Sequence, residues 1–164
     1  MSVYGRILLA SLGSFLILMG AFGFQYLAGL APCPMCIWQR WPHAAAIVIG
    51  LVAMTVLWRF RRPLSLAGFA AMSVSAGLGV FHAGVEQRWW DGPSTCVGAD
   101  PTALNADDLL EHLMQAPLVR CDEIVWDLWG VTMAGWNAIL SAGLALLWLF
   151  AALPKTPTRH VVPG

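Results

Sequence analysis

The chain has 164 residues, 59% of them hydrophobic and only 11% charged, with a formal net charge of +0 and a mean hydropathy of +0.69. That balance excludes an ordinary water-soluble domain and makes the lipid bilayer the expected solvent. No basic stripe is present, and no nucleic-acid partner is expected.

Residues 7–30 contain no Asp, Glu, Lys or Arg and are long enough, at about 1.5 Å per helical residue, to cross a hydrocarbon core of roughly 30 Å. A cleaved signal peptide is the rival reading, because a weak basic start at Arg6 precedes the stretch and Ala28, Gly29 and Ala31 are small. The apolar run exceeds the usual length of about 7 to 15 residues, so a retained span is expected. A short loop, 31–41, follows with Cys33, Cys36 and Arg40, and then a second charge-free stretch, 42–58. The connection to the third, 64–85, is brief and basic, with Arg59, Arg61 and Arg62.

Residues 86–129 form a longer loop with Cys96 and Cys121, and every acid of the chain lies between Glu86 and Asp127. Asn105, Asp107 and Asp108 followed by Leu109, Leu110, Leu113 and Met114 and then Pro117 predict a short helix lying on the membrane surface. A fourth charge-free stretch, 130–153, leads into a polar tail, 154–164, with Lys155 and Arg159. Unsatisfied backbone in lipid then demands an all-α membrane protein, a four-transmembrane-helix bundle in a single integral domain. Basic residues are retained on the cytoplasmic side, so both termini are expected there and loops 31–41 and 86–129 are expected outside.

Tryptophans cluster at the span ends. Trp38, Trp41, Trp89, Trp90, Trp126 and Trp129 are expected at the outer water interface, and Trp58 and Trp148 at the inner one. Ala71, Ser75, Gly79 and Ala83 lay a small-residue stripe along the third span, where a neighbouring helix can approach closely.

All four cysteines fall in the expected outer loops. Of the three possible pairings, proximity favours Cys33 with Cys36, leaving Cys96 with Cys121. Structural staples suit the second pair but not the first, since closing so small a ring removes little chain entropy. A zinc site fits poorly, because the second pair is 25 positions apart rather than closely and regularly spaced, so no metal is expected. Redox exchange is the third reading: a thiolate attacks a disulfide, so two disulfides in series can receive electrons at one pair and deliver them at the other. A thioredoxin-like domain is excluded, because membrane spans rather than a βαβ unit flank the Cys-x-x-Cys motif. If the chain is already helical from Cys36, Arg40 shares its face and its cation favours the thiolate; if the helix starts only at Pro42, loop geometry must bring them together.

Cys33-Pro34-Met35-Cys36-Ile37-Trp38-Gln39-Arg40 resembles the bacterial disulfide bond formation protein B (DsbB) family. So do His82-Ala83-Gly84-Val85-Glu86, Trp90 and Gly92-Pro93 leading to Cys96, and the stretch from Leu128 through Met133-Ala134-Gly135-Trp136-Asn137. The resemblance implies a bacterial inner-membrane oxidoreductase that reoxidises a periplasmic DsbA-like thiol oxidase and hands the electrons to the quinone pool, ubiquinone or menaquinone. It implies that Cys96 takes the attack of DsbA with Cys121 as its partner, and that Cys33 and Cys36 reoxidise that pair. Cys36 would form the adduct or charge-transfer contact with the quinone, and Arg40 would polarise it. His82 and Glu86, four apart near the expected quinone head, would tune or relay the protons of reduction, or else form a satisfied interfacial pair.

Ordinary structural disulfides lie below about −300 mV and DsbA near −120 mV, so such a bond would oxidise DsbA uphill by roughly 8 kcal/mol. The loop disulfide must therefore be unusual or coupled to a strong sink. A paralogue with a dedicated partner, or one running electrons outward, is a second reading of the same motifs. A non-enzymatic scaffold with two structural disulfides is a third. The sequence leaves the resting disulfide connectivity open.

Overall fold

The computed structural model describes residues 1–93, 96 and 119–154. The expected surface helix around residues 105–117 lies outside them, as do Lys155 and Arg159 of the tail.

Four long helices carry the described fold: α1 (Val3–Tyr26), α2 (Pro34–Met54), α3 (Arg61–Glu86) and α4 (Met133–Ala152). α1 starts where the Ser2 hydroxyl accepts from the Gly5 amide at 3.0 Å, satisfying one of the orphan donors of a helix start. α2 uses Cys33 in the same way, its sulfur accepting from the Cys36 amide at 3.2 Å, with Pro34 in the first turn where its missing N–H costs nothing. α2 therefore begins eight residues before the expected span at 42, and Pro42 lies inside the helix. The loop expected over 31–41 is mostly helix.

A single 3-10 turn, Trp58–Phe60, joins α2 to α3. Ahead of α4 the chain makes a minimal hairpin not anticipated from the sequence. β1 (Asp127–Leu128) pairs antiparallel with β2 (Val131–Thr132), Leu128 opposite Val131. Its turn residues, Trp129 and Gly130, both have positive φ, 55° and 76°, as a tight two-residue hairpin requires. Thr132 then caps α4 by accepting from the Gly135 amide at 3.1 Å.

The helices pack as a ring, α1 beside α2, α2 beside α3, α3 beside α4, and α4 back against α1. Val3–Tyr26, Trp58–Glu86 and Met133–Ala152 are each long and apolar enough to cross a membrane. α2 carries Gln39, Arg40 and His43 in its N-terminal half, which lowers its apolarity.

The bundle turns its bulky apolar side chains outwards, among them Leu8, Leu12, Phe15, Val48, Leu51, Val74 and Phe150, and buries small and polar ones. In lipid nothing drives Leu inwards, so close backbone approach decides the interior. The buried line of α3 is Ser65, Gly68, Met72, Ser75, Gly79, His82 and Glu86, alternating three and four residues apart. This is the seam of a left-handed helix pair, and it shares only Ser75 and Gly79 with the stripe expected from every-fourth spacing. At Gly79 a Cβ would stand 2.9 Å from the Ala138 amide nitrogen and 3.0 Å from the Ala134 carbonyl oxygen, so α3 and α4 touch backbone to backbone.

Trp148 corrects a second expectation. It is not at an interface but wholly buried in a core with Ile7, Ala10, Ala46, Ala53 and Met72, its ring filling the space left by Gly68.

Candidate redox site

At the far end of the bundle from Trp148, the chain brings together sulfurs that are distant in sequence. Cys33, Met35, Val85, Cys96 and Cys121 form one buried cluster, with Cys36 and Val119 packed against it. The Cys121 amide donates to the Cys96 carbonyl at 3.0 Å, and the Cys96 amide donates to the Pro93 carbonyl at 2.8 Å, so two short backbone ties align the loop cysteines. Across the cluster the Cys33 and Cys36 sulfurs are 3.1 Å apart. Cys33 Sγ, Cys121 Sγ and a ring nitrogen of His82 all lie within 4.8 Å of one another. Sequence spacing favoured pairing within each loop; the folded chain also places Cys121 within reach of Cys33.

Electrostatics set Cys36 apart from Cys33 and Cys121. Cys33 donates its hydrogen to Cys36, which pushes Cys33 well above the ordinary thiol range and holds Cys36 below it. Cys36 thus favours the thiolate, helped by its place in the first turn of α2, where unpaired amides favour negative charge. Cys121 is pushed up to about 12, chiefly by burial and then by the neighbouring Cys96 thiol. Cys33, Cys96 and Cys121 are buried, whereas Cys36 is half-buried and reachable.

Arg40 lies one helical turn below Cys36, but its hydrogen bonds run to α1, with Gln25 Oε1 at 2.6 Å and the Ala21 carbonyl at 3.4 Å. Its guanidinium also sits over the Phe22 ring, 5.1 Å from the centroid. The shared face expected from helical spacing is realised, yet the cation favours the Cys36 thiolate only through space, as the smallest of the named influences.

His82 Nε2 is 3.6 Å from Cys33 Sγ and 3.8 Å from Glu86 Oε1, so the histidine borders both a sulfur and a carboxylate. Glu86 is buried and its second oxygen, Oε2, has no partner among the described residues.

Behind His82 runs a polar chain that hydropathy alone does not reveal. Gln39 Nε2 meets His82 Nδ1 at 2.8 Å, Asn137 Nδ2 donates to Gln39 Oε1 at 2.7 Å, and Asn137 Oδ1 meets His43 Nε2 at 2.9 Å. Ser75 and Ser141 close it, 3.0 Å from each other and each adjoining His43. The available signal was that Gln39, His43 and Asn137 are polar groups in or beside apolar stretches, which are costly in lipid unless partnered and so tend to serve a site.

Residues 5–151 match the family model described as "Disulfide bond formation protein DsbB". The chain belongs to the DsbB family. Among curated relatives, the disulfide bond formation protein B of Shewanella sp. (strain MR-4) is 32% identical over 138 residues, covering 82% of this chain and 78% of the relative. The protein of the same name from Marinobacter nauticus is 29% identical over 167 residues, covering 96% and 94%, and that from Albidiferax ferrireducens is 28% identical over 168 residues, covering 97% and 90%. No solved structure matches. Family membership and three helices able to cross a membrane make this DsbB relative a membrane protein.

Proposed function

We propose that this DsbB-family protein reoxidises a DsbA-like periplasmic dithiol oxidase and delivers the electrons through two disulfides to ubiquinone or menaquinone. The observation that carries the reading is the convergence of both cysteine pairs, with Cys121 Sγ and Cys33 Sγ within 4.8 Å although 88 positions separate them in the chain. Staples would need no such approach between pairs; sequential exchange does.

In the proposed sequence a partner thiolate attacks Cys96, breaking its bond to Cys121 and forming a mixed disulfide. The partner's second thiolate then releases the partner oxidised, leaving Cys96 and Cys121 as a dithiol that holds two electrons and two protons. Attack by the Cys121 sulfur on Cys33 opens the Cys33–Cys36 bond and expels Cys36 as the leaving thiolate. Cys96 then displaces Cys33 from Cys121, restoring the loop bond and leaving Cys33 and Cys36 reduced. The leaving sulfur is thus the one whose thiolate is favoured, which supports the direction of flow.

The residues around Cys36 suit a quinone: a reachable sulfur and, one turn away, the Arg40 cation resting over the Phe22 ring. A quinone bound there accepts two electrons and two protons. His82, between Cys33 and Glu86, is positioned to hold a proton beside the sulfur. We assign α2 as the fourth span, with both termini cytoplasmic and the cysteine clusters on the periplasmic side of a bacterial inner membrane. The sorting of Arg59, Arg61 and Arg62 to the opposite end of the bundle supports this orientation.

The deciding experiment mixes the purified protein in lipid with reduced DsbA and ubiquinone and follows quinone absorbance. Consumption in the intact protein, lost when any one of the four cysteines is replaced by serine, is the expected result. An intact protein that consumes no quinone ends the proposal.

A further inference from the structure

Sequence spacing argues against a resident zinc site, yet the fold adds a ligand that spacing cannot show. Cys33 Sγ, Cys121 Sγ and a His82 ring nitrogen lie within 4.8 Å of one another, and all three residues are at least 96% buried. Cys36 Sγ, 3.1 Å from Cys33 Sγ, completes a set of three sulfurs and one imidazole. Zinc bonds of about 2.3 Å to sulfur and 2.0 Å to nitrogen place tetrahedral donors roughly 3.3 to 3.8 Å apart. The Cys33 to His82 distance, 3.6 Å, already falls in that range, Cys121 must close by at most about an ångström, and Cys36 must open from 3.1 Å.

We propose that the fully reduced protein binds one soft divalent cation, of the zinc class, through Cys33, Cys36, Cys121 and His82 Nε2, and that binding holds the protein reduced. Thiolates are the ligands, so each sulfur that still carries a proton gives it up on binding and no electron moves. A cysteine bonded to a second cysteine has no thiolate to offer. The site therefore exists only after electrons have entered, and occupying it blocks the sulfurs from passing them on.

The surroundings favour the site for two further reasons. Metal-bound histidines have their second nitrogen held by a neighbour, and Gln39 stands 2.8 Å from His82 Nδ1. A cation on Nε2 moves the ring hydrogen to Nδ1, and the amides of Gln39 and Asn137 can both turn end for end to match. Gln39 then accepts from His82 and donates to Asn137, which in turn donates to His43. The turn gives up the Gln39 bond to the Met35 carbonyl, 3.2 Å long. Second, Cys96 is not needed, so the loop keeps one thiol free.

The test titrates Co2+ into the full-length protein in lipid nanodiscs, reduced without thiols under anaerobic conditions. Intense visible bands of tetrahedral cobalt with thiolate charge transfer, saturating at one ion per chain and bleached by Zn2+, are expected, with about two to three protons released per ion. Cys96→Ser should bind unchanged, His82→Gln and Cys121→Ser should weaken binding at least about a hundredfold, and Gln39→Leu about tenfold or more. Oxidation of both pairs should abolish the spectrum. Equal binding by oxidised protein, or His82→Gln and Cys121→Ser proteins that bind like wild type, would overturn the proposal. Any variant that has lost the wild-type helical circular dichroism is replaced by His82→Cys, which should restore binding with a fourth thiolate; failure to do so counts against the site. None of these readouts requires quinone or DsbA, so the outcome is independent of the proposed electron route.

Discussion

Gln39 fixes which nitrogen of His82 carries hydrogen. Its amide oxygen is taken by Asn137 Nδ2 at 2.7 Å, so its nitrogen is the atom that donates to His82 Nδ1 at 2.8 Å. The ring hydrogen of the neutral histidine then sits on Nε2, aimed at Cys33 Sγ 3.6 Å away. A glutamine that makes no hydrogen bond to a sulfur among the described residues thereby orients a donor towards one.

Replacing Gln39 by leucine leaves His82 Nδ1 and Asn137 Nδ2 without this partner in a buried site, at a cost of about 1 to 3 kcal/mol. Thermal unfolding in lipid should show the loss, and quinone reduction should slow by about tenfold, the equivalent of roughly 1.4 kcal/mol in the barrier. Gln39→Glu accepts from Nδ1–H instead and reverses the ring. It should recover much of the stability while changing the pH profile of turnover. Identical profiles in wild type, leucine and glutamate proteins would remove Gln39 from the mechanism.

In the reduced protein the thiols should alkylate in a set order. Cys36, held below the ordinary thiol range and half-exposed, reacts first, while Cys33, pushed well above that range, and Cys121, pushed from 9.0 up to about 12 by burial, react late. The same shift sets a stability slope. Between pH 9.0 and about 12 an undocked loop ionises Cys121 and the docked loop does not, so docking is strongest below 9.0 and weakens as pH rises through that window. Mass spectrometry after iodoacetamide pulses across this range reads both effects. Cys121 labelling as fast as Cys36 at neutral pH would contradict the arrangement.

Gly79→Ala should destabilise the bundle by about 1 to 3 kcal/mol, because the new methyl meets the backbone of Ala134 and Ala138 rather than a side chain that can turn away. Gly77→Ala, with nothing within 4 Å of its Cβ position, should be neutral or slightly stabilising. His82 stands three residues above Gly79 on the same seam, so the Gly79 variant should also lose turnover. Unfolding midpoints of the pair measured side by side decide it.

Arg40→Met should raise the KM for quinone more than it lowers kcat, since the guanidinium is proposed to act on the acceptor. Arg40→Lys should recover only part of the loss, because an ammonium cannot reproduce the fork that reaches both Gln25 and the Ala21 carbonyl. Steady-state kinetics at varied quinone separates the two constants; a fall in kcat alone points to a purely structural role.

The apolar stretches and the four cysteines were legible in the sequence because charge-free runs and thiol positions are one-dimensional facts. The start of α2 was not. Pro42 has the form of a helix start, but Pro34 in the first turn with Cys33 as cap satisfies the same rule earlier, and a proline farther along does not stop a tightly packed helix. Trp148 was misplaced for a related reason. Its position near a span end suits an interface, while the hollow that receives it depends on Gly68, a residue of another helix. The approach of Cys121 to Cys33 and the chain from His82 to His43 likewise join three helices and a loop, and no periodicity within one segment encodes them.

Cys96 has no exposed surface at all. If it is the atom that a partner attacks, small reductants diffusing past have nothing to strike, and only a protein able to grip the loop and prise it open can deliver electrons. Concealment of that kind would keep the cell's oxidising power from leaking into stray thiols, making selectivity a matter of leverage rather than of potential.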